Sequence, residues 1–319
     1  MNQLDYLKKM SIVVADTGDI ISIKKYQPQD ATTNPSLILK AVESGMYNHL
    51  LQTAVTYSKK IGGTYLIQLQ NAVKKLSVLI GIEILNNIPG RISTEVNAMF
   101  SFSYEDSLRE SRDIINLYEE SGINRSRILI KLAATWQCIC AARELKKENI
   151  QCNLTLLFSF AQAKACADAQ VFLISPFVGR IFDWYKNKNL LPYYSIDIDP
   201  GVLSVKKIFD YYKKNQYKTI IMAASFRTIE QVLALSGCDY LTISPELLQS
   251  LKEKKTMISL QLDKNSVNSS KIIPKFLFTE SDFYFEHNQD AMAVEKLSEG
   301  IRQFVFDQKK LEKILSQYI

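Results

Sequence analysis

Histidine occurs only at positions 49 and 287, and the five cysteines form no CxxC pair. Histidine-rich metal sites and Ser-His-Asp chemistry are therefore poorly supplied. Catalysis has to draw on Lys, Asp, Glu, Asn, Ser, Thr and Arg. Among these, Lys131 stands apart, because it sits in RILIKL (127–132) between Ile128, Leu129, Ile130 and Leu132. A buried ammonium is costly unless it is paired or neutralised. Taken alone, such a lysine reads as a strand-edge side chain that snorkels to water. In a strand covered on both faces it has no such outlet. Burial and neighbouring positive charge would then favour the neutral amine, which can attack a carbonyl and form a Schiff base. The protonated imine is an electron sink, so an adjacent C–C bond can break and leave an enamine. That chemistry calls for no metal and no organic cofactor.

The chain length suits one α/β barrel, and 47% apolar with 23% charged residues suits a sizeable core. Short β-type runs recur, separated by helical patterns. They are SIVVAD (11–16), QDATTN (29–34), RISTEV (91–96), RILIKL (127–132), CNLTLLF (152–158), VFLISPF (171–177), TIIMAAS (219–225) and YLTIS (240–244). QDATTN is weak by propensity and is accepted because the others set the rhythm. Residues 103–122 place Leu108, Ile115, Leu117 and Tyr118 at helical spacing and end on Gly122, a C-cap position. About fifty residues with two or three helices separate the second run from the third. The tail from residue 290 is a long amphipathic helix, with Val294, Leu297, Ile301, Phe304, Leu311 and Leu315 along one face. Eight β-runs alternating with helices predict a single (β/α)8 TIM barrel over residues 1–319, with additional helices including a long C-terminal one. An open doubly wound sheet usually carries a glycine-rich phosphate loop, and neither GxGxxG nor GxxxxGK[ST] occurs.

Such a barrel does its chemistry at the C-terminal ends of its strands. The runs bring Asp16, Thr32, Asn34, Glu95, Lys131, Asn153, Thr155, Ser175, Ser225 and Arg227 there, with Arg180 just after the sixth. Each has a plainer reading. Asp16 ahead of TGD fits an Asx turn, and Asn34-Pro35 fits a helix start with Asn as N-cap. Asn153 and Thr155 could face solvent, and the arginines could form surface ion pairs. Parallel barrel strands have no solvent face, however, so inward polar residues need partners or a task. Asp16 and Glu95 are the carboxylates available to take a hydroxyl proton and to serve imine formation. Amides and hydroxyls suit a polyhydroxylated substrate, and two arginines suit a phosphate at its far end.

These residues resemble the class I transaldolases, in particular their longer, dimeric bacterial and eukaryotic subgroup. The resemblance runs from about residue 4 onward and rests on VVADTGDI, QDATTNPSLILKA, GRISTEV, RILIKLAATWQ, NLTLLFSFAQA, FLISPFVGRI, DPGV, ASFR and HNQDAMAVEKL. It implies a barrel enzyme that moves a dihydroxyacetone unit between sugar phosphates. It makes Lys131 the Schiff-base lysine, Asp16 the base for C–C cleavage, and Glu95 with Thr155 the pair holding a catalytic water. Thr32, Asn34, Asn153 and Ser175 match contacts to the dihydroxyacetone moiety, and Arg180, Ser225 and Arg227 match the phosphate site. Fructose 6-phosphate aldolases share the lysine but carry Tyr and Gln where this chain has Phe177 and Glu95, which favours transfer over release. A non-catalytic sugar-phosphate-binding barrel is the alternative from another class. Ala134, Cys138 and Ala223 depart from the family pattern at non-catalytic positions, and residues 252–273 follow no family pattern.

The formal charge of +6 comes from scattered lysines rather than a stripe, which speaks against nucleic-acid binding. The N-terminal residues show no signal-peptide pattern, and no apolar run is long enough to span a membrane. A cytoplasmic protein with reduced thiols is expected, acting on sugar phosphates without a metal or other cofactor; the resemblance adds a homodimer.

Overall fold

The computed structural model describes residues 1–190, 195–265 and 278–319. All eight expected runs form strands: β1 Ile12–Asp16, β2 Asp30–Thr32, β3 Ile92–Glu95, β4 Ile128–Ala133, β5 Cys152–Leu157, β6 Leu173–Pro176, β7 Ile220–Ala223 and β8 Tyr240–Ile243. They pair in parallel and in chain order, and β8 closes on β1. The fold is a TIM barrel with extra helices.

The weak second run becomes a strand because both its neighbours demand one. Val14 pairs with Asp30 on one side, and Ala31 pairs with Ile92 on the other. Closure leaves no edge, so tertiary pairing overrides poor local propensity. The Asp30 side chain also accepts the Arg91 backbone N–H at 3.0 Å, tying the starts of β2 and β3 together.

Helices lie where the 3.6-residue pattern put them. Helix Tyr104–Glu119 is capped by Ser103, and Gly122 follows it at φ 78°. The Ile123 N–H reaches back to the Tyr118 carbonyl at 3.0 Å, the bond that closes a helix end of this type. Three helices fill the stretch between β2 and β3: Pro35–Glu43, Asn48–Ile61 and Tyr65–Leu85. After helix Pro245–Glu253 the chain runs without regular structure to residue 265, pinned where Gln261 and Leu262 donate to the Ser236 carbonyl at 3.0 and 2.9 Å. The rest of the unpatterned segment, from residue 266, lies outside the described residues.

The main core packs the outside of the strands against the helices. Inside the barrel, Val14, Leu129, Leu173 and Met222 form an apolar floor. A further cluster joins Ala133, Leu156, Phe158 and Phe177 at the barrel top to Leu297, Ile301 and Phe304 of the C-terminal helix Ala291–Leu315. The first half of that helix therefore roofs the mouth of the barrel, while Leu311 and Leu315 join the main core. Val294, assigned to the same face, is only half-buried. All five cysteines are free thiols, and each but Cys140 is buried. Among the described residues, no helix is long and apolar enough to cross a membrane.

Candidate active site

Parallel register decides which side chains stand together. Asp16 pairs with Thr32, Thr32 with Ser93, Glu95 with Lys131, and Lys131 with Asn153. Aligned residues on neighbouring strands project to the same face, here the interior. The result is a polar layer directly above the apolar floor.

Lys131 lies within it and is 5% exposed. Its Nζ donates to the Thr33 carbonyl at 3.0 Å and lies 3.1 Å from Glu95 Oε2. The charge beside the amine is thus a carboxylate, where the sequence suggested a cation. The register explains the difference, since Glu95 is aligned with Lys131 while Arg180 enters from the far wall after β6. Burial pushes the Glu95 carboxyl above its ordinary range, the Lys131 and Arg180 charges oppose this, and Asp16 adds to it. The Lys131–Glu95 contact is close enough for an ion pair but is not angled as a hydrogen bond. Glu95 Oε2 and Thr155 Oγ1 are both buried without a hydrogen-bond partner. Buried orphans of this kind call for a donor or acceptor from a ligand or water.

Thr155 shares the interior face with Asn153 by strand alternation, and a defect in the sheet follows directly. The β5–β6 register shifts between Leu154 and Leu157, and Leu156 sits at φ 52°. Such bulges re-aim side chains beside sites. Here Leu156 turns up into the cluster beneath the C-terminal helix, and Thr155 faces the cleft.

Asp16 does not make the Asx turn; Asp19 takes the local capping role, accepting from Ile21 and Ser22 N–H groups. The Asp16 Oδ1 instead accepts from Thr32 Oγ1 at 2.9 Å. With its proton committed there, Thr32 must accept from Thr242 Oγ1, also at 2.9 Å. A second chain runs from Ser175, which donates to Asn153 Oδ1 at 2.6 Å, to Asn153 Nδ2, which donates to Ser93 Oγ at 3.1 Å. Asn34 does cap its helix, accepting the Leu37 N–H at 2.9 Å, and it also lines the cleft. Capping occupies Oδ1 and leaves Nδ2 to a ligand.

The two arginines differ. Half-buried Arg180 packs its guanidinium between the Phe177 and Phe304 rings, 5.2 and 5.7 Å from their centroids. Burial first, and then the Arg227 charge, press its pKa below the ordinary guanidinium value. Arg227 is exposed at the rim and is bound to Asp183 Oδ2 through Nε at 2.9 Å and Nη2 at 2.7 Å. Ser225, at φ 60°, lies 3.4 Å from Arg227 Nη1.

Residues 13–315 match the family described as Transaldolase/Fructose-6-phosphate aldolase. A transaldolase of Buchnera aphidicola from Acyrthosiphon pisum (strain APS) is 60% identical over 319 residues, the full length of both chains. Transaldolase A of Salmonella typhimurium is 57% identical over 316 residues, 99% of each chain. A Buchnera aphidicola transaldolase from Cinara cedri is 58% identical over 315 residues, again 99% of each. The chain belongs to the transaldolase/fructose-6-phosphate aldolase family.

In this family member the cleft gathers most of the residues singled out from the sequence. Asp16, Thr32, Asn34, Lys131, Thr155, Ser175, Phe177, Arg180 and Ser225 line it. Glu95 and Asn153 stand behind them in the wall, and Arg227 stays at the rim. Thr242, Met222 and Phe304 line it too and were missed. Thr242 lies inside YLTIS, so the strand-end rule could have found it; Phe304 carried no local signal. Neither histidine takes part: His49 pairs with Glu83 at 2.8 Å on the surface, and His287 is buried 3.0 Å from Ser159 Oγ. Among the described residues, no group of three or more His, Cys, Asp and Glu is placed to hold a metal ion.

Proposed function

We propose that this chain is a transaldolase working through a Schiff base on Lys131. It would take a dihydroxyacetone unit from sedoheptulose 7-phosphate or fructose 6-phosphate and pass it to glyceraldehyde 3-phosphate or erythrose 4-phosphate. That places it in the non-oxidative pentose phosphate pathway. The observation that carries the reading is the buried amine of Lys131, 3.1 Å from Glu95, in the cleft that the unpartnered Thr155 hydroxyl also lines.

The chemistry follows from this geometry. Attack requires a neutral amine, and Glu95, its carboxyl raised by burial, is a ready acceptor for the lysine proton. The amine adds to the ketose C2 carbon, and the resulting hydroxyl leaves as water. Glu95 Oε2 and Thr155 Oγ1 supply the proton route, either directly or through a water held between them. Asp16 then takes the C4 hydroxyl proton, the C3–C4 bond breaks, and its electron pair flows into the iminium. The aldose phosphate departs, and the enamine on Lys131 attacks the acceptor aldehyde by the reverse steps. Thr32, Asn34, Asn153 and Ser175 hold the dihydroxyacetone hydroxyls. Arg180, Ser225 and Arg227 receive the phosphate.

The same reading takes the chain as a single domain working in the cytoplasm as a homodimer, supported by full-length kinship with transaldolases. The nearest alternative is release of free dihydroxyacetone, as in a fructose 6-phosphate aldolase. Phe177 and Glu95 favour transfer. Supplying fructose 6-phosphate with and without an aldose phosphate acceptor tests this: transfer predicts turnover only with the acceptor, and fast release of free dihydroxyacetone without it would overturn the proposal.

A further inference from the structure

We propose that Phe304 is a positioning residue that gives this site its preference for phosphorylated sugars, by clamping the Arg180 guanidinium against Phe177. The inference rests on the phosphate-site reading above and assigns it a support from the C-terminal helix. Among the described residues, neither a hydrogen bond nor an ion pair holds the Arg180 guanidinium; the two ring contacts at 5.2 and 5.7 Å do. Arg227, by contrast, is fixed by the Asp183 carboxylate. The difference matters for an anion site. A carboxylate orients an arginine by consuming its donors and offsetting its charge. Aromatic faces attract the cation while leaving all five N–H groups available. A guanidinium held by rings is oriented with its donors still free for a phosphate, and its bidentate fork is set before the ligand arrives.

Phe304 is 1% exposed, so its ring is itself locked by packing. It can reach Arg180 because the helix comes down close over the barrel mouth at Gly300, one turn earlier. A Cβ at Gly300 would stand 2.7 Å from Leu156 Cδ2 and 3.4 Å from Arg180 Nη1. The bulged Leu156, the glycine and the two phenylalanines thus form one packing unit around the arginine.

Borohydride trapping on Lys131 measures this without relying on full turnover. Fructose 6-phosphate engages the phosphate end of the cleft, whereas dihydroxyacetone engages the lysine end alone. In Phe304→Leu, the ratio of the half-trapping concentrations for the two should shift by about tenfold against fructose 6-phosphate, the scale of a desolvated cation–π contact. Phe304→Tyr, which keeps the ring, should restore the native ratio. In an Arg180→Met background, Phe304→Leu should cause no further shift, because the partner it acts through is gone. If Leu is not accommodated in the helix packing, Phe304→Met poses the same question with a flexible side chain. An unshifted ratio, or the same shift with and without Arg180, would overturn the clamp. Failure of the unmodified protein to form an adduct on Lys131 with either sugar would instead sink the Schiff-base reading, and the clamp with it.

Discussion

Lys131→Met removes the ammonium, keeps most of the side chain's length, and should do more than abolish turnover. It strands the Glu95 carboxyl, which now has its counter-charge 3.1 Å away. Two unit charges at that separation attract by about 5 kcal/mol at an effective dielectric of about 20, and removing one member of a buried pair typically costs ~3–5 kcal/mol. Burial already raises the Glu95 carboxyl, and Lys131 is the largest influence holding it down. A carboxyl raised in the folded state keeps a proton where the unfolded chain has released it. Its favourable contribution is complete at low pH and is lost as pH rises through the folded value. Deleting Lys131 raises that value further. The deficit against the unmodified protein should therefore be small near pH 4 and approach about 3 kcal/mol or more near pH 8. Urea denaturation at the two pH values measures it. Adding Glu95→Gln should recover most of the loss at the higher pH, because neither member is then charged. A deficit independent of pH, or one that Glu95→Gln leaves untouched, would refute the buried ion pair.

Three further outcomes are expected. Asp16→Asn should slow turnover by about 10²–10⁴-fold while Lys131 still forms a trappable adduct, since the base acts after the imine has formed; loss of the adduct would move Asp16 to the earlier step. Thr155→Val keeps the shape and removes the orphaned hydroxyl, so imine formation in single-turnover trapping should slow while the unfolding free energy stays within about 0.5 kcal/mol of the native one. Asp307, 4% exposed on the C-terminal helix, accepts from Ser36 beside the Asn34 cap and from Gln303 Nε2 at 3.1 Å. Asp307→Ala should therefore cost about 1–3 kcal/mol in denaturant unfolding by orphaning the Ser36 hydroxyl and releasing the roof helix from that cap.

Much of the barrel was legible in the sequence because most strands are short apolar runs followed by a helical period. QDATTN could be read only through its neighbours, and it is a strand only through them. The polar positions were legible for a topological reason. Once Asn153 and Lys131 are placed in strands without a solvent face, their side chains have to meet other polar groups inside. What stayed hidden depends on register and distance in the chain. The pairing of Glu95 with Lys131 follows from strand alignment, which periodicity does not reveal. The bulge at Leu156 leaves no compositional mark, and Asp183 claims Arg227 from another element. Phe304 looked like one more apolar residue on an amphipathic face. Only the path of the C-terminal helix over the barrel mouth turns it toward Arg180.

The most direct measurement is borohydride reduction of the protein in the presence of fructose 6-phosphate, followed by mass analysis of its peptides. A dihydroxyacetone-derived secondary amine on the peptide bearing Lys131, absent without sugar and absent in Lys131→Met, is the expected result. An unmodified Lys131 in protein that is turning over the sugar, or an adduct on another lysine, would contradict catalysis through this strand.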